Sequence, residues 1–197
     1  LMGLPVTVGD NDQMSVYPSS IEGTLFSFED SYVQESVLNP GTGYWLRFEE
    51  SGETNITGSA INSLTIQMQD DWNLISGIST PIEYTDIVDP EGIVIPGTLF
   101  GFGESYEQES ILEPGKAYWL RTTDSGEIHL GSNRGARVSE VHNPDNMNSI
   151  TVRGMTLYFG AEVDETEKLQ YGLPPKPPAG GFDVRFKGDT RICGEEC

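Results

Sequence analysis

Apolar and polar residues alternate with a period of two along several short stretches of the chain, and this alternation predicts β-strands. In residues 43–48, Tyr44, Leu46 and Phe48 share one face and Trp45 lies on the other. The other alternating stretches are residues 24–28, 60–69 and 182–186. No stretch predicts a helix of useful length, so we expect an all-β protein built from short strands.

Turn-forming residues separate the predicted strands. Residues 39–41 (Asn-Pro-Gly) mark a tight turn, because proline presets the first central position and glycine accepts a positive φ at the next. Residues 149–152 and 155–159 predict a hairpin that turns at Arg153 and Gly154.

Two further segments show where strands begin and end. Pro5 cannot donate a ladder hydrogen bond, so residues 1–8 are expected to form an edge strand or one that ends early. Residues 60–69 alternate cleanly and lead through an acidic turn into a strand that starts at Trp72. We therefore expect these two strands to form a hairpin that joins the first part of the chain to the second.

A long internal repeat organises the chain. Residues 97–121 repeat residues 23–47 without a gap, and 17 of the 25 aligned positions are identical. A repeat of this length indicates that a structural unit was duplicated, and it says little about chemistry, because one catalytic site seldom needs two copies of its scaffold. The predicted units are residues 1–68 (first repeat, N-terminally incomplete), 69–132 (second repeat) and 133–197 (a third β unit). Because the first repeat lacks the Trp-Asn opening of the second, we expect the chain to be part of a longer protein.

The third unit begins after a change in composition and contains a proline-rich segment. Residues 133–137 are small, polar and basic against an acidic background, as is typical of a linker. Residues 171–178 contain four prolines, which cannot donate to a strand ladder and favour an extended polyproline II path. We expect this segment to cross from one sheet to another; alternatively, it is a ligand for an aromatic groove. The predicted fold is therefore all-β, with tandem duplicated β-sandwich-like units followed by a short β unit that contains the proline-rich crossover.

The chain is strongly acidic, with 31 Asp and Glu against 11 Lys and Arg and a net charge of −20. A field of this sign repels phosphate backbones and anionic lipid headgroups, so we expect no nucleic-acid partner. No apolar run approaches the roughly 18 residues that a bilayer crossing needs, so no membrane insertion is expected. The charge favours solubility in a salty exterior; alternatively, it serves cation binding, with calcium as the first candidate.

Aromatic and basic residues on the most apolar strand of each repeat form a candidate carbohydrate site. A flat aromatic ring beside hydrogen-bonding groups suits the face of a pyranose. The candidate residues are Trp45, Trp119, Tyr44, Tyr118, Arg47 and Arg121. The alternative is structural: each tryptophan fills the second face of a two-layer sandwich or the seam between the repeats.

Acidic loops supply candidate calcium ligands. Asp10 and Asp12 lie in a turn that lacks the spacing and the terminal Glu of an EF-hand loop. Asp86 and Asp89 lie in a loop bounded by prolines at its two ends. For both loops the alternative is an ordinary turn with solvated carboxylates. Apart from calcium, no cofactor is expected.

Two cysteines, Cys193 and Cys197, lie close together at the end of the sequence. This spacing supplies two of the four ligands that a structural zinc site needs. A local disulfide in an oxidising compartment is predicted; the alternative is two free or externally paired thiols.

The sequence carries no recognisable catalytic motif. Neither His129 nor His142 lies in one, and the G-x-S-x-G, H-E-x-x-H, Walker and dinucleotide-binding patterns do not occur. A pair of carboxylates in a cleft also hydrolyses glycosidic bonds, but acidic residues are too numerous here for the sequence to single out a pair. We therefore expect a non-catalytic protein.

Four segments resemble modules of large secreted proteins of Bacteroidota and related bacteria. They are WNLISGISTP at residues 72–81, PGKAYWL at 114–120, TLYFG at 156–160 and LPPKPPAGGFDVRF at 173–186. Such modules lie near the C-terminus, shortly before the sorting domain that the type IX secretion system reads. The resemblance covers nearly the whole chain and implies an extracellular or cell-surface location and a β-sandwich architecture. The resemblance implies no catalytic residues, and the cysteine pair, Cys193 and Cys197, does not belong to the pattern of those modules.

The leading functional interpretation is a non-catalytic extracellular structural module, serving as a stalk, spacer or assembly unit of a larger surface protein. Its expected partners are the other domains of the parent chain and, through exposed edge strands, neighbouring copies. The first alternative is a carbohydrate-binding module that holds a polysaccharide on its tryptophans. The second is a calcium-stabilised adhesin. A tryptophan ring in an open groove would favour the first alternative, and a chelator-sensitive melting temperature would favour the second.

Overall fold

The computed structural model describes residues 1–131, 135–139, 147–160 and 163–194. In these ranges the chain forms mostly β-strands in several small sheets, with two helices of four residues each and two short 3-10 turns. The prediction of an all-β protein is confirmed.

The strands are short. Residues 1–8, which were predicted as one strand that lies at an edge or ends early, form two strands, one before and one after Pro5. In the first repeat the strands are β1 (Met2–Gly3), β2 (Val6–Thr7), β3 (Phe26–Glu29), β4 (Ser31–Gln34), β5 (Gly43–Tyr44), β6 (Ser59–Ala60) and β7 (Leu64–Met68). In the second they are β8 (Asp71–Ser76), β9 (Ile82–Glu83), β10 (Phe100–Phe102), β11 (Tyr106–Gln108), β12 (Ile111–Leu112), β13 (Ala117–Thr122) and β14 (Gly126–Leu130). The third unit adds β15 (Asn148–Val152), β16 (Met155–Phe159) and β17 (Ile192–Cys193). The helices are α1 (Gln13–Val16) and α2 (Glu165–Lys168), and the 3-10 turns are Tyr84–Asp86 and Leu169–Tyr171.

Strands β8 and β13 form the longest pair of a four-stranded antiparallel sheet with the order β11-β10-β13-β8. Alternate side chains of β13 face different cores, because Trp119 belongs to one hydrophobic cluster and Tyr118 and Leu120 belong to another. The same alternation separates Trp45 from Tyr44 in the first repeat. The predicted division of the two faces is therefore confirmed.

Equivalent positions of the two repeats make equivalent contacts. The amide of Asn39 donates to Tyr44 Oη over 2.9 Å, and the amide of Glu113 donates to Tyr118 Oη over 2.8 Å. The antiparallel pairing of β1 with β5 corresponds to the pairing of β8 with β13. The shared residues thus make the same local contacts in both repeats.

The two repeats also bond to each other in a reciprocal way. The amide of Gly3 donates to Gly115 O over 3.0 Å, and the amide of Ser76 donates to Gly41 O over 3.0 Å. The two backbone segments approach so closely here that a Cβ on Gly3 would overlap the Cβ of Ser76. Glycine at position 3 is therefore required by this approach.

Strands β7 and β8 do not form the predicted hairpin. Strand β7 pairs with β14, whereas β8 pairs with β13 in a different sheet. Asp71 lies at the corner between them with a positive φ of 71°. Asn73 stabilises this corner, because its Oδ1 accepts from the amide of Gln69 over 2.8 Å and its Nδ2 donates to Gln69 O over 2.9 Å. Strand β7 is thus joined to the second repeat by its pairing, although it precedes the boundary predicted after residue 68.

The third unit contains one predicted strand pair and lacks one predicted strand. Strands β15 and β16 form the expected hairpin, with Arg153 and Gly154 at φ values of 48° and 89°, and β17 pairs in parallel with β16. The prediction of a strand at residues 182–186 is wrong, because this segment forms only one isolated bridge. Val184 and Phe186 nevertheless pack against the hydrophobic cluster that contains Trp119. The alternation of apolar and polar residues therefore indicated which side chains are buried, although the backbone forms no strand there.

The described part of the predicted linker packs against the second repeat. Ala136 O accepts from the amide of Asp89 over 2.8 Å, and the amide of Val138 donates to Ile87 O over 3.2 Å. Val138 is buried in the same hydrophobic cluster as Ile87. Residues 136–138 therefore extend the second repeat instead of acting as a free spacer.

Candidate functional site

An aromatic cluster lies where the two repeats and the third unit meet, and we call it the aromatic seam. Its members are Phe28, Tyr32, Trp45, Trp72, Phe100, Phe102, Tyr106, Trp119 and Phe186. Phe28 of the first repeat packs edge-on against Trp119 of the second, with ring centroids 4.8 Å apart. Phe102 of the second repeat packs in the same manner against Trp45 of the first, also at 4.8 Å. Such pairs contribute about 0.5–1.5 kcal/mol beyond the burial of their area, so the seam binds the repeats together.

The proline-rich segment contacts two tyrosines of the seam, which we call the tyrosine clamp. Tyr32 Oη donates to Lys176 O over 2.9 Å, and Tyr106 Oη donates to Pro175 O over 2.6 Å. The two tyrosines occupy equivalent positions of the repeats, so each repeat gives one hydrogen bond to the segment. Burial raises the pKa of both phenols, which keeps them protonated as donors.

The aromatic residues of the predicted carbohydrate site are mostly buried. Trp119 is 0 % exposed, Tyr44 1 % and Tyr118 2 %, whereas Trp45 is half-buried against Phe102. Buried rings offer no face to a sugar, so the prediction of a stacking platform is corrected for these three residues. Their positions match the structural alternative: the tryptophans fill the seam and the tyrosines fill the cores of the two repeats.

The two arginines of that predicted site have different surroundings. Arg121 Nε lies 2.5 Å from Asp71 Oδ1, and its guanidinium lies 5.6 Å from the ring centroid of Trp72. Arg47 is exposed, and its amide donates to Thr24 Oγ1 over 3.3 Å. The structure does not bring the two arginines into one site with open aromatic rings.

The first pair of predicted calcium ligands stabilises a helix start. Asp12 caps α1 by accepting from the amide of Met14 over 2.9 Å. Asp10 accepts from Ser15 Oγ over 2.7 Å and from the amide of Asp12 over 3.1 Å, and these bonds lower its pKa. Both carboxylates therefore serve the local backbone and its turn.

The second pair of predicted calcium ligands, Asp86 and Asp89, also stabilises local structure. Asp89 is 4 % exposed and accepts from the amides of Ile93 and Val94 over 3.1 and 2.9 Å. Asp86 forms an ion pair with Arg137. Among the residues that the structure describes, no group of three or more His, Cys, Asp or Glu side chains is arranged to hold a metal ion.

The substitution Asp89→Ala is expected to lower the free energy of unfolding by about 2 kcal/mol, because two buried amides lose their acceptor. Asp86→Ala is the matched control, and its loss should stay below about 1 kcal/mol, since its ion pair is half-exposed. Melting curves recorded with calcium and with EDTA should give the same loss for Asp89→Ala. A wild-type melting temperature that rises with calcium, and loses that rise in Asp89→Ala, would instead assign Asp89 to a metal site.

A groove with a volume of about 1250 Å³ runs beside the seam. Its lining includes five of the chain's 11 basic residues: Arg121, Lys168, Lys176, Arg185 and Lys187. Its acidic residues are Asp71, Glu165 and Asp189, and each is paired with one of those bases. Lys176 and Lys187 are exposed and form no ion pair within the described ranges. The groove is therefore a locally basic surface on an acidic protein.

Two histidines and two cysteines were also singled out from the sequence, and the structure describes one of each. His129 contacts Thr65 Oγ1 through Nδ1 at 2.9 Å and Glu127 Oε1 through Nε2 at 3.4 Å, both on the sheet of β7 and β14. His142 lies outside the described residues. Cys193 is disulfide-bonded and Cys197 lies outside the described residues, so their pairing with each other stays a prediction.

The tyrosine clamp and a buried arginine, Arg191, were not predicted from the sequence. Tyr32 and Tyr106 are identical in the two repeats, which was a usable signal, but their acceptors lie far along the chain. Arg191 stands between a threonine and an isoleucine, and nothing in that local sequence marks it as buried.

No protein-family model matches the chain, and neither a curated protein nor a solved structure gives a match. In the described ranges, neither helix has the length and apolar character that crossing a membrane requires. A functional assignment therefore depends on the residues and contacts described above.

Proposed function

We propose that this chain is a non-catalytic extracellular structural module, a stalk, spacer or assembly unit of a larger secreted bacterial protein. It consists of tandem duplicated β-sandwich-like units and a third β unit whose proline-rich segment crosses between sheets. The equivalent contacts of the two repeats support the duplication. The resemblance to modules that precede a type IX sorting domain supports a location outside the cell.

The observation that carries this proposal is the common core of the three units. Phe28, Trp119, Trp45 and Phe102 join the two repeats, and the tyrosine clamp holds the third unit on the same seam. A spacer keeps its two ends at a fixed separation, so its units must not hinge about flexible linkers. A core shared by all units prevents such hinging, because bending would expose the aromatic side chains to water.

The third unit also has a strand edge that supports assembly. Strand β15 lies at the edge of its sheet, and Ile150 on that strand is 53 % exposed. An open edge with an apolar side chain accepts a strand from another chain. The proposed partners are neighbouring copies and the other domains of the parent protein.

Small-angle X-ray scattering of the isolated chain tests the spacer proposal. A rigid particle of 197 residues should have a radius of gyration of about 16 Å. The double variant Tyr32→Phe/Tyr106→Phe should increase proteolysis within the proline-rich segment, because both clamp hydrogen bonds are lost. Tyr17→Phe is the matched control, since Tyr17 Oη bonds within the first repeat, to Gly3 O. A wild-type radius well above 16 Å, on the order of 20 Å or more, would show independent units and exclude a rigid spacer.

A further inference from the structure

Arg191 is a charged side chain buried between the second repeat and the third unit. It is 2 % exposed. Its guanidinium carbon lies 5.3 Å from the ring centroid of Phe100 and 5.5 Å from those of Tyr158 and Tyr171. Three aromatic rings thus surround the charge.

The hydrogen bonds of Arg191 are incomplete and come from neutral groups. Nη1 donates to Gln108 Oε1 over 2.9 Å, and Nη2 lies at the long distances of 3.4 and 3.5 Å from Gln170 O and Gly97 O. Its Nε is buried and has no hydrogen-bond partner among the residues that the structure describes, and the same holds for Tyr171 Oη beside it. Within the described ranges, no carboxylate lies at ion-pair distance from this guanidinium.

This arrangement is costly, because arginine stays protonated and a buried charge needs a counter-charge. Burial lowers the pKa of Arg191, although the nearby tyrosine hydroxyls oppose that shift. Arg185 of the same chain shows how a buried arginine usually obtains a counter-charge. Its Nε and Nη2 bond both carboxylate oxygens of Asp183 over 2.7 and 2.5 Å.

A cavity of about 300 Å³ lies beside Arg191, between β11 and β16. Arg191, Phe100, Gln108, Thr156 and Tyr158 are among its lining residues. The guanidinium of Arg191 is the charged donor group of this lining, whereas Gln108 Nε2 already donates to Gly97 O over 3.2 Å and Thr156 Oγ1 already bonds to Thr151 Oγ1 over 3.0 Å. A carboxylate is small enough to enter this volume, and its two oxygens match the paired N–H donors of a guanidinium.

We propose that this cavity is a carboxylate-binding site in which Arg191 pairs with a carboxylate of another molecule. The ligand is a small free carboxylate or the acidic side chain of another polypeptide, since both present the same two oxygens. A bound carboxylate supplies the counter-charge that Arg191 lacks among the described residues. Because Arg191 lies between the second repeat and the third unit, this binding also stabilises the packing of the third unit on the second repeat.

Glu107 also lines the cavity, on the side of Gly154, where a Cβ would collide with its carboxylate. Its negative charge repels an incoming anion, so it sets an upper limit on affinity. Glu107→Gln should therefore tighten carboxylate binding several-fold. If Glu107 were itself the counter-ion of Arg191, the same substitution would weaken the protein and would not improve binding.

The test is a titration of the full chain with sodium formate, and separately with a short glutamate-containing peptide, at constant ionic strength set by sodium HEPES. At formate concentrations ten times the dissociation constant, the melting temperature should rise by about 3 °C or more. Arg191→Met should abolish the rise, whereas Arg47→Met, which removes the same charge from an exposed position, should keep it. A response to the peptide that exceeds the response to formate identifies a polypeptide as the source.

Three results would overturn the proposal. The first is a wild-type melting temperature that is indifferent to both probes, a result that does not require the Arg191 variant to fold. The second is an equal response in Arg191→Met and wild type. The third is a response that appears only in Glu195→Gln/Glu196→Gln, because the chain's own acidic residues would then be the partner of Arg191.

Discussion

Replacing Trp119 by alanine is expected to lower the free energy of unfolding by about 3–5 kcal/mol, the largest loss that any single residue of the seam should give. Trp119 is fully buried and contacts Phe28, Tyr32 and Trp72. Its removal leaves a cavity at the meeting point of all three units, where rigid strands on several sides prevent collapse. Urea denaturation followed by circular dichroism measures the loss.

Trp45→Ala is the matched control, because Trp45 occupies the equivalent position in the first repeat but is only half-buried. Its loss should be about 2 kcal/mol or less. Trp119→Phe should cost less than its lost volume implies, since it also removes a buried indole N–H that has no acceptor in the described part of the chain. Equal losses for Trp119→Ala and Trp45→Ala would show that burial at the seam does not determine its stability.

Alkaline pH is expected to unfold the protein steeply. Burial raises the pKa of Tyr17 to about 12 and raises the pKa values of Tyr84 and Tyr106 as well. An unfolded tyrosine ionises near pH 10, so the stability from these groups is fully present below pH 10 and is lost as the pH rises toward the folded pKa values. Above pH 10, ionisation of each of these three tyrosines in the unfolded chain should lower the free energy of unfolding by about 1.4 kcal/mol per pH unit. Together the three should lower it by about 4 kcal/mol per pH unit. Denaturation midpoints measured from pH 8 to pH 12 give this slope.

Tyr84→Phe isolates one of these tyrosines. Tyr84 Oη makes a long hydrogen bond of 3.3 Å to Ile95 O, so its loss should change stability little at neutral pH. Above pH 10 the variant should lose stability less steeply than wild type, by about 1.4 kcal/mol per pH unit. An unchanged slope would mean that Tyr84 already ionises in the folded state near its ordinary pKa.

The features that depend on neighbouring residues were predictable from the sequence. The hairpin of β15 and β16 follows from alternation on both sides of a turn at Arg153 and Gly154. The opposite faces of Tyr44 and Trp45 follow from the geometry of an extended chain. Local pattern and local structure agree in these cases because no distant contact competes.

The errors arose where distant contacts decided the structure. Strand β7 resembles one arm of a hairpin, yet its partner is β14, nearly 60 residues further along the chain. Val184 and Phe186 alternate like strand residues because they enter the seam, and their backbone pairs with no ladder. Sequence alone could not place Trp119, since an aromatic residue on the outer face of a strand fits a ligand platform and a packing interface equally well.

The reciprocal contacts of Phe28 with Trp119 and of Phe102 with Trp45 have the pattern of an isologous interface, in which one surface meets its own copy after a two-fold rotation. A polypeptide with a single copy of this unit would expose its aromatic face and would gain most by dimerising through it. Fusion of the two copies makes that association intramolecular and independent of protein concentration.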